Sequence, residues 1–251
     1  MAGHSKWSKV KRFKGALDAK RGRLFSKLSK EITVAAKLGG GNPSAIPRLR
    51  AAIQAARAQS MPNDNVDRAI KKGAGELGSE TVEEIIYEGY APGGVALIVE
   101  TATDNKNRTA ADMRSIFTKN HGNLGGPGSV SFMFHRKGQI TVPLSSASEN
   151  RLFELVADAG AEDLSSDGEH HIITTPPDQL YVVSEALRKA SLEPDSQRLT
   201  YIPESSVAVE DAKTAAQVLR LCDALDNCDD VLNVHANFEI PDDILAEAQE
   251  N

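Results

Sequence analysis

The hydrophobic positions of the first third of the chain recur at the spacing of amphipathic helices. One helix ends at glycines 39–41, a second covers the stretch after residue 46, and a third ends near residue 73. The first helix carries its apolar side chains on a single face, at Leu17, Leu24, Phe25, Leu28 and Ile32. This pattern predicts a three-helix domain over residues 16–75. Residues 1–15 lack apolar periodicity, so we predict a flexible basic arm there.

After residue 76 the pattern changes to short strands that alternate with single helices. Residues 82–90 and 95–103 have the composition of two strands joined by a turn, and residues 130–134 and 139–142 predict a hairpin. The predicted fold class is α+β, in which the helical domain is followed by two ferredoxin-like domains. The predicted boundaries are 76–129 plus 207–240 for one domain, 130–206 for the domain inserted in it, and 241–251 for a loose acidic tail.

The composition is typical of a soluble globular protein. Hydrophobic residues make up 40% and charged residues 25% of the 251 residues, and no apolar run is long enough for a membrane helix. The two cysteines, Cys222 and Cys228, argue against a disulfide framework and agree with a reducing compartment. We therefore expect a cytoplasmic protein that does not bind a membrane.

Charge is distributed very unevenly along the chain. Through residue 72 there are 17 Lys and Arg against 4 Asp and Glu, a net charge of +13. The remaining 179 residues carry 12 against 31, a net charge of −19, so the overall value of −6 conceals the polarity. Because Lys and Arg that neutralise phosphates bind nucleic acid independently of sequence, we expect nucleic acid as the partner.

Fifteen residues of the basic end are candidates for nucleic-acid contact. The cations would neutralise phosphates. Trp7 would either stack on an unpaired base or anchor the arm on the protein itself, two alternatives with equal support. The candidates are Lys6, Trp7, Lys9, Lys11, Arg12, Lys14, Lys20, Arg21, Arg23, Lys27, Arg48, Arg50, Arg68, Lys71 and Lys72.

No group of side chains in the sequence predicts catalysis or a bound cofactor. Residues 73–78 match the letters of a dinucleotide-binding glycine motif, but a predicted helix precedes them and a predicted strand follows, the reverse of what that motif requires. Cys222, Cys228 and His235 lack the Cys-x-x-Cys spacing of a zinc site. We therefore expect no enzymatic activity, no metal, no cofactor and no small-molecule substrate.

Long and specific motifs run through the first half of the chain: AGHSKW at 2–7, DAKRGRLFSKL at 18–28, GGGNP at 39–43, PRLRAAI at 47–53, MPNDNVDRAIKKG at 61–73, YEGYAPGGVALIVE at 87–100, TDNKNRT at 103–109 and GSVSFMF at 128–134. Together they closely resemble the YebC/PmpR family, which includes the mitochondrial translational activator of cytochrome c oxidase subunit I. The resemblance implies a helical first domain, two ferredoxin-like domains and a cytoplasmic, non-enzymatic regulator. Members are described as DNA-binding transcriptional regulators, and others act in translation on the ribosome where proline-rich stretches stall it.

Two alternatives stay open on the sequence. The target is either promoter DNA or ribosomal RNA, and cations without an identifiable major-groove helix favour recognition of shape and backbone, which is more typical of RNA. Alternatively, the acidic domains bind a protein partner and the basic end is secondary. We expect a monomer in each case.

Overall fold

The computed structural model describes residues 19–37, 41–43, 46–77 and 82–250, with side chains from residue 22 to residue 248 of those ranges. The arm predicted for residues 1–15 lies outside them. The chain divides into two compact units, Met1–His135 with Ile202–Asn251 and Arg136–Tyr201.

Three helices form the N-terminal part of the first unit: α1 (Ala19–Lys37), α2 (Pro47–Ala58) and α3 (Asn63–Gly73). Their apolar faces meet in one cluster, in which Ile32 and Leu49 are fully buried. Helix α3 ends close against α1, since a Cβ on Gly73 would lie 2.2 Å from the carbonyl oxygen of Thr33. Only glycine permits this approach of the two backbones.

A four-stranded antiparallel sheet forms the centre of the first unit. Its strands are β1 (Glu83–Tyr90), β2 (Ala96–Thr103), β3 (Asn123–Leu124) and β9 (Val231–Ala236), in the order β3-β1-β2-β9. Two helices, α4 (Lys106–Lys119) and α7 (Ala212–Asp226), contribute to the core on one face, with Leu97, Val99, Met113, Phe117 and Leu221 fully buried. The side chains of Asn105 and Asp211 cap these helices by accepting backbone N–H groups.

Helix α1 connects the helical part to this sheet. Val34 of α1 packs in a small apolar cluster with Val82, which directly precedes β1, and with Ala102 of β2 and Leu232 of β9. This cluster is separate from the core that contains Leu97 and Val99. Side chains alternate between the two faces of a strand, and Ala102 belongs to the set of β2 side chains that faces away from that core. The basic helix therefore lies directly against the acidic part of the protein.

The second unit has the ferredoxin-like order of elements. Strand β4 (Phe134–Pro143), helix α5 (Glu149–Asp158), strands β5 (Asp163–Ser166) and β6 (His170–Thr175), helix α6 (Leu180–Lys189) and strand β7 (Ser196–Pro203) follow one another. The sheet order is β5-β6-β4-β7, and Ile140, Leu152, Ile173, Val183 and Leu187 fill its core. The α+β class predicted from the sequence is therefore confirmed.

Two local predictions are wrong. The hairpin expected around residues 135–138 is instead one continuous strand, β4, in which Gly138 lies opposite Thr175 of β6. The segment after residue 241, expected to be loose, forms helix α8 (Asp242–Glu250), and its Ala248 lies in the core with α7. Two further short strands, β8 (Val207–Ala208) and β10 (Phe238–Glu239), form a parallel pair.

Candidate nucleic-acid interface

The structure places part of the fifteen predicted contact residues. The first six of them, Lys6, Trp7, Lys9, Lys11, Arg12 and Lys14, lie outside the described residues. Lys20 and Arg21 belong to the first turn of α1, before the described side chains begin. The other seven cations have defined positions.

Arg23 and Lys27, together with Lys30, form a row along one side of α1. Their spacing of four and three residues places them on one helix face. This face does not point into open solvent. It meets residues 226–230, which we call the acidic turn, at the end of α7 and before β9.

The first two cations of the row hold the C-terminal end of α7. Lys27 Nζ donates to the carbonyl oxygen of Asp226 at 2.6 Å and to its carboxylate at 2.9 Å. Arg23 donates to the side-chain oxygen of Asn227 at 2.5 Å. The last carbonyls of a helix lack hydrogen-bond partners within it and carry partial negative charge. A Lys at this end donates a hydrogen bond to such a carbonyl and also brings a compensating positive charge. The Lys27 and Asp226 side chains are only 14% and 17% exposed.

The third cation, Lys30, reaches a buried carboxylate. Its Nζ donates to the carbonyl oxygen of Asp229 at 2.7 Å and to Asp230 Oδ1 at 2.6 Å. Asp230 also accepts from Arg108 at 3.0 Å and from the hydroxyl of Thr109 at 2.7 Å. Burial raises the pKa of Asp230, but the hydrogen bonds from Lys30, Thr109 and Arg108 outweigh it and lower the pKa to about 2. Asp230 is therefore ionised at neutral pH.

Arg48 of α2 bridges two carboxylates. Its Nε donates to Glu31 of α1 at 2.8 Å, and its Nη2 donates to Glu84 of β1 at 2.6 Å. Burial lowers the pKa of Arg48, but the hydrogen bonds and charges of Glu84 and Glu31 raise it above its ordinary value. This guanidinium joins the helical part to the sheet.

The remaining predicted cations occupy the ends of α2 and α3. Arg50 is half-buried and donates weakly to the carbonyl oxygen of Pro43, at 3.4 Å. Lys72 is also half-buried, whereas Arg68 and Lys71 are exposed. Exposed acids stand one turn before each of the latter two, at Asp64 and Asp67. The outer face of α3 is therefore nearly neutral in charge.

Glu88 is a buried carboxylate that the sequence does not single out. Its buried carboxylate accepts the backbone N–H groups of Gly128, Val130 and Ser131 at 2.7 to 2.8 Å. Burial raises its pKa, but these three hydrogen bonds lower it below the ordinary value. The glycine-rich loop before β4 is thus fastened to β1. The alternation of β1 gives no signal for this burial, because Glu88 lies on the same strand face as the exposed Glu84 and Ile86 and is covered only by the loop that follows β3.

The histidines, cysteines and acids of the described residues were the candidates for metal binding and nucleophilic chemistry. No group of three or more His, Cys, Asp and Glu side chains there is arranged to hold a metal ion. The buried His235 contacts Glu100 across β9 and β2 at 2.9 Å. Burial raises the pKa of the Cys228 thiol, which disfavours the thiolate that nucleophiles and metal ligands require. None of the described helices is long and apolar enough to cross a membrane.

Comparison with known proteins assigns the chain to a family. The profile of the TACO1/YebC protein N-terminal domain matches residues 5–76, and that of the TACO1/YebC second and third domain matches residues 82–238. The chain belongs to the TACO1/YebC family. The resemblance seen in the motifs is thereby confirmed.

TACO1/YebC relatives match the chain over its whole length. A protein of Aquifex aeolicus is 52% identical over 98% of both chains, and one of Chlorobaculum parvum is 51% identical over 100% of both. Each is named "Probable transcriptional regulatory protein". A crystal structure of a conserved hypothetical protein from Aquifex aeolicus is similar with a TM-score of 0.86 and 51% identity, over 96% of this chain and 99% of that one. The family is thus named for regulation and not for an enzymatic reaction.

Proposed function

We propose that this protein is a nucleic-acid-binding regulator of gene expression and that residues 1–21 supply most of its phosphate contacts. The observation that carries the proposal is the segregation of charge, +13 through residue 72 against −19 in the rest. The names of its relatives support a regulatory role.

Internal contacts narrow the location of the binding surface. Arg23, Lys27, Lys30 and Arg48 are held by oxygen atoms of the protein itself. A phosphate would have to displace these partners, which costs binding energy. Residues 1–21 contain seven Lys and Arg against one acid, Asp18. By this density of positive charge we rank these seven cations first among the fifteen candidates, and the exposed Arg68 and Lys71 second.

Salt dependence tests the proposal. In a variant with Lys6, Lys9, Lys11, Arg12 and Lys14 changed to Ala, affinity for duplex DNA should fall. The slope of log K against log salt should become shallower by about four to five, because each lost phosphate contact removes about 0.9 from it. Fluorescence anisotropy with labelled duplex DNA and single-stranded RNA, at several salt concentrations, measures both effects.

A matched control separates binding from net charge. Five exposed cations elsewhere, changed to Ala, alter the net charge of the protein by the same amount: Lys119, Arg136, Arg151, Lys189 and Lys213. This control should keep the wild-type slope. Equal slopes for the two variants, or a wild-type protein that binds neither probe, would refute the proposal.

We take duplex DNA as the first candidate target, because the relatives are named as probable transcriptional regulators, and ribosomal RNA as the second. One observation supports RNA: the cationic row of α1 faces the acidic turn, so it does not offer the exposed helix that reads a DNA major groove. Sedimentation with ribosomes, combined with crosslinking that identifies the bound nucleic acid, distinguishes the two. Crosslinks to ribosomal RNA support a role in translation, and crosslinks confined to promoter DNA support a role in transcription. We further propose a cytoplasmic location and a monomeric state, which sedimentation velocity measures.

A further inference from the structure

Phe132 is a large apolar side chain that lies on the surface and not in one of the hydrophobic cores. It is 71% exposed, the highest value among the large hydrophobic side chains of the described residues. The apolar residues two positions to either side are buried: Val130 is fully buried and Phe134 is 6% exposed. The chain thus anchors both sides of the residue and leaves its ring in water.

The backbone that carries Phe132 is fastened at several points. Gly128, Val130 and Ser131 donate to the Glu88 carboxylate, as described above. Tyr90 donates its hydroxyl to the carbonyl oxygen of Ser129 at 3.0 Å. On the other side, the carbonyl oxygen of Met133 accepts the N–H of Glu204 at 2.9 Å. A ring held in this way loses little backbone freedom when a ligand binds, which is the advantage of preorganisation.

The surroundings of the ring distinguish between two kinds of partner. A protein interface places its anchoring aromatic side chain at the centre of other packed side chains that exclude water. Here the preceding loop is instead built from Gly125, Gly126, Pro127 and Gly128, and the last three are exposed. This loop carries no large side chain, and a Cβ added to Gly126 or Gly128 would meet no atom within 4 Å, so the loop supplies none of the packed side chains that surround an interface anchor. That arrangement fits a nucleobase, which needs one open aromatic face and accepts any sequence.

We propose that Phe132 stacks on an unpaired base of a bound single-stranded nucleic acid, a contact made in addition to those of the basic residues 1–21. The inference rests on the proposed function, because it requires that the protein bind nucleic acid. It extends that function by assigning a position for unpaired bases to the sheet-containing part of the first unit. It also requires single-stranded segments in the target.

Anisotropy measurements with the full-length protein test the proposal. The probes are a single-stranded RNA of mixed sequence without self-complementarity and a duplex DNA of the same length. Phe132→Ala should weaken RNA binding by about 5-fold to 150-fold, which corresponds to the loss of about 1–3 kcal/mol per stacked base. Duplex DNA binding should not change, since its bases are already paired and stacked.

Three further variants show whether a loss of RNA affinity comes from the loss of the flat ring. Phe132→Trp should keep the affinity for RNA because it keeps a flat ring, and Phe132→Leu should lose it as Ala does because it keeps only the apolar volume. Phe153→Ala is the matched control, since Phe153 is 59% exposed on α5 of the second unit, and it should bind as the wild type does. Circular dichroism verifies that each variant is folded. If Phe132→Ala does not fold, the comparison of Phe132→Trp with Phe132→Leu tests the proposal in its place.

Each remaining outcome has a definite meaning. Wild-type affinity of Phe132→Ala or Phe132→Leu for RNA overturns the proposal, as does an equal loss for duplex DNA or for Phe153→Ala. Wild-type protein that binds duplex DNA but not RNA overturns it and leaves the proposed function standing. Wild-type protein that binds neither probe overturns both.

Discussion

Asp230 should contribute a measurable, pH-dependent part of the stability of this protein. Its side chain is 6% exposed and accepts hydrogen bonds from Lys30, Arg108 and Thr109. The ordinary pKa of 3.8 falls to about 2 in the folded protein. Because each pKa unit corresponds to about 1.4 kcal/mol, ionised Asp230 contributes about 2 kcal/mol at pH 7.

The sign of the pH dependence follows from the lowered pKa. A carboxylate whose folded pKa lies below its unfolded pKa stabilises the protein fully above the unfolded value, and this stabilisation is lost as the pH falls toward the folded value. For Asp230 that window runs from about pH 4 down to about pH 2. The contribution should therefore decrease to about 1 kcal/mol at pH 3.

Replacement by an uncharged isostere isolates this contribution. Asp230→Asn should lower the free energy of unfolding by about 2 kcal/mol at pH 7 and by about half as much at pH 3. Urea unfolding followed by circular dichroism at a series of pH values gives the difference between wild type and variant. Asp229→Asn is the matched control, because Asp229 is exposed and offers Lys30 its backbone carbonyl and not its carboxylate. A loss that is the same at both pH values, or as large in the control, would refute the reasoning.

Three other substitutions test individual contacts by urea unfolding. Glu88→Gln should cost about 1–3 kcal/mol and speed hydrogen exchange of the Gly128–Ser131 amides, because charged hydrogen bonds are lost. Gly73→Ala should be strongly destabilising, since its Cβ would meet Thr33 at 2.2 Å, whereas Gly22→Ala, with no atom within 4 Å of the new Cβ, should stabilise α1 by about 1 kcal/mol. Arg48→Gln should also cost about 1–3 kcal/mol, leaving Glu31 and Glu84 without their bridge, while exposed Arg57→Gln on the same helix should cost little. If Gly73→Ala and Gly22→Ala, or Arg48→Gln and Arg57→Gln, change the free energy of unfolding by the same amount, the contact argued for Gly73 or for Arg48 is contradicted.

The sequence predicted the apolar faces of the helices because their periodicity is a local property. Ile32 and Leu49 are fully buried as the stripes indicate. The role of the cations beside the stripe could not be read in the same way. Lys27 and Lys30 meet oxygens some two hundred residues further along the chain, and spacing within a helix carries no information about such a partner.

The two wrong local predictions have physical causes of their own. His135 to Gly138 have the composition of a turn, but Gly138 is a glycine because a Cβ would lie 2.3 Å from the Thr175 hydroxyl and 2.8 Å from Leu180. Glycine is required both in many turns and where a strand packs closely against its neighbours, so its presence alone does not distinguish the two. In the C-terminal segment the acidic residues masked a short apolar stripe. Ile244 and Leu245 pack with Ala248 against the core, and Asp242 and Asp243 favour the helix N-terminus.

The internal contacts change how the charge of this protein must be counted. A net charge of +13 in the first 72 residues suggests a broad cationic surface, but three of these charges, at Lys27, Lys30 and Arg48, are half-buried and already paired with carboxylates of the acidic part. Such pairs are screened little by salt, whereas contacts between exposed cations and phosphates weaken steeply as salt increases. The basic end therefore has two parts with different physics. Helix α1 and Arg48 join the helical part to the sheet at any ordinary ionic strength, and residues 1–21, with seven Lys and Arg against one acid, are where we propose the reversible, salt-dependent contacts with nucleic acid.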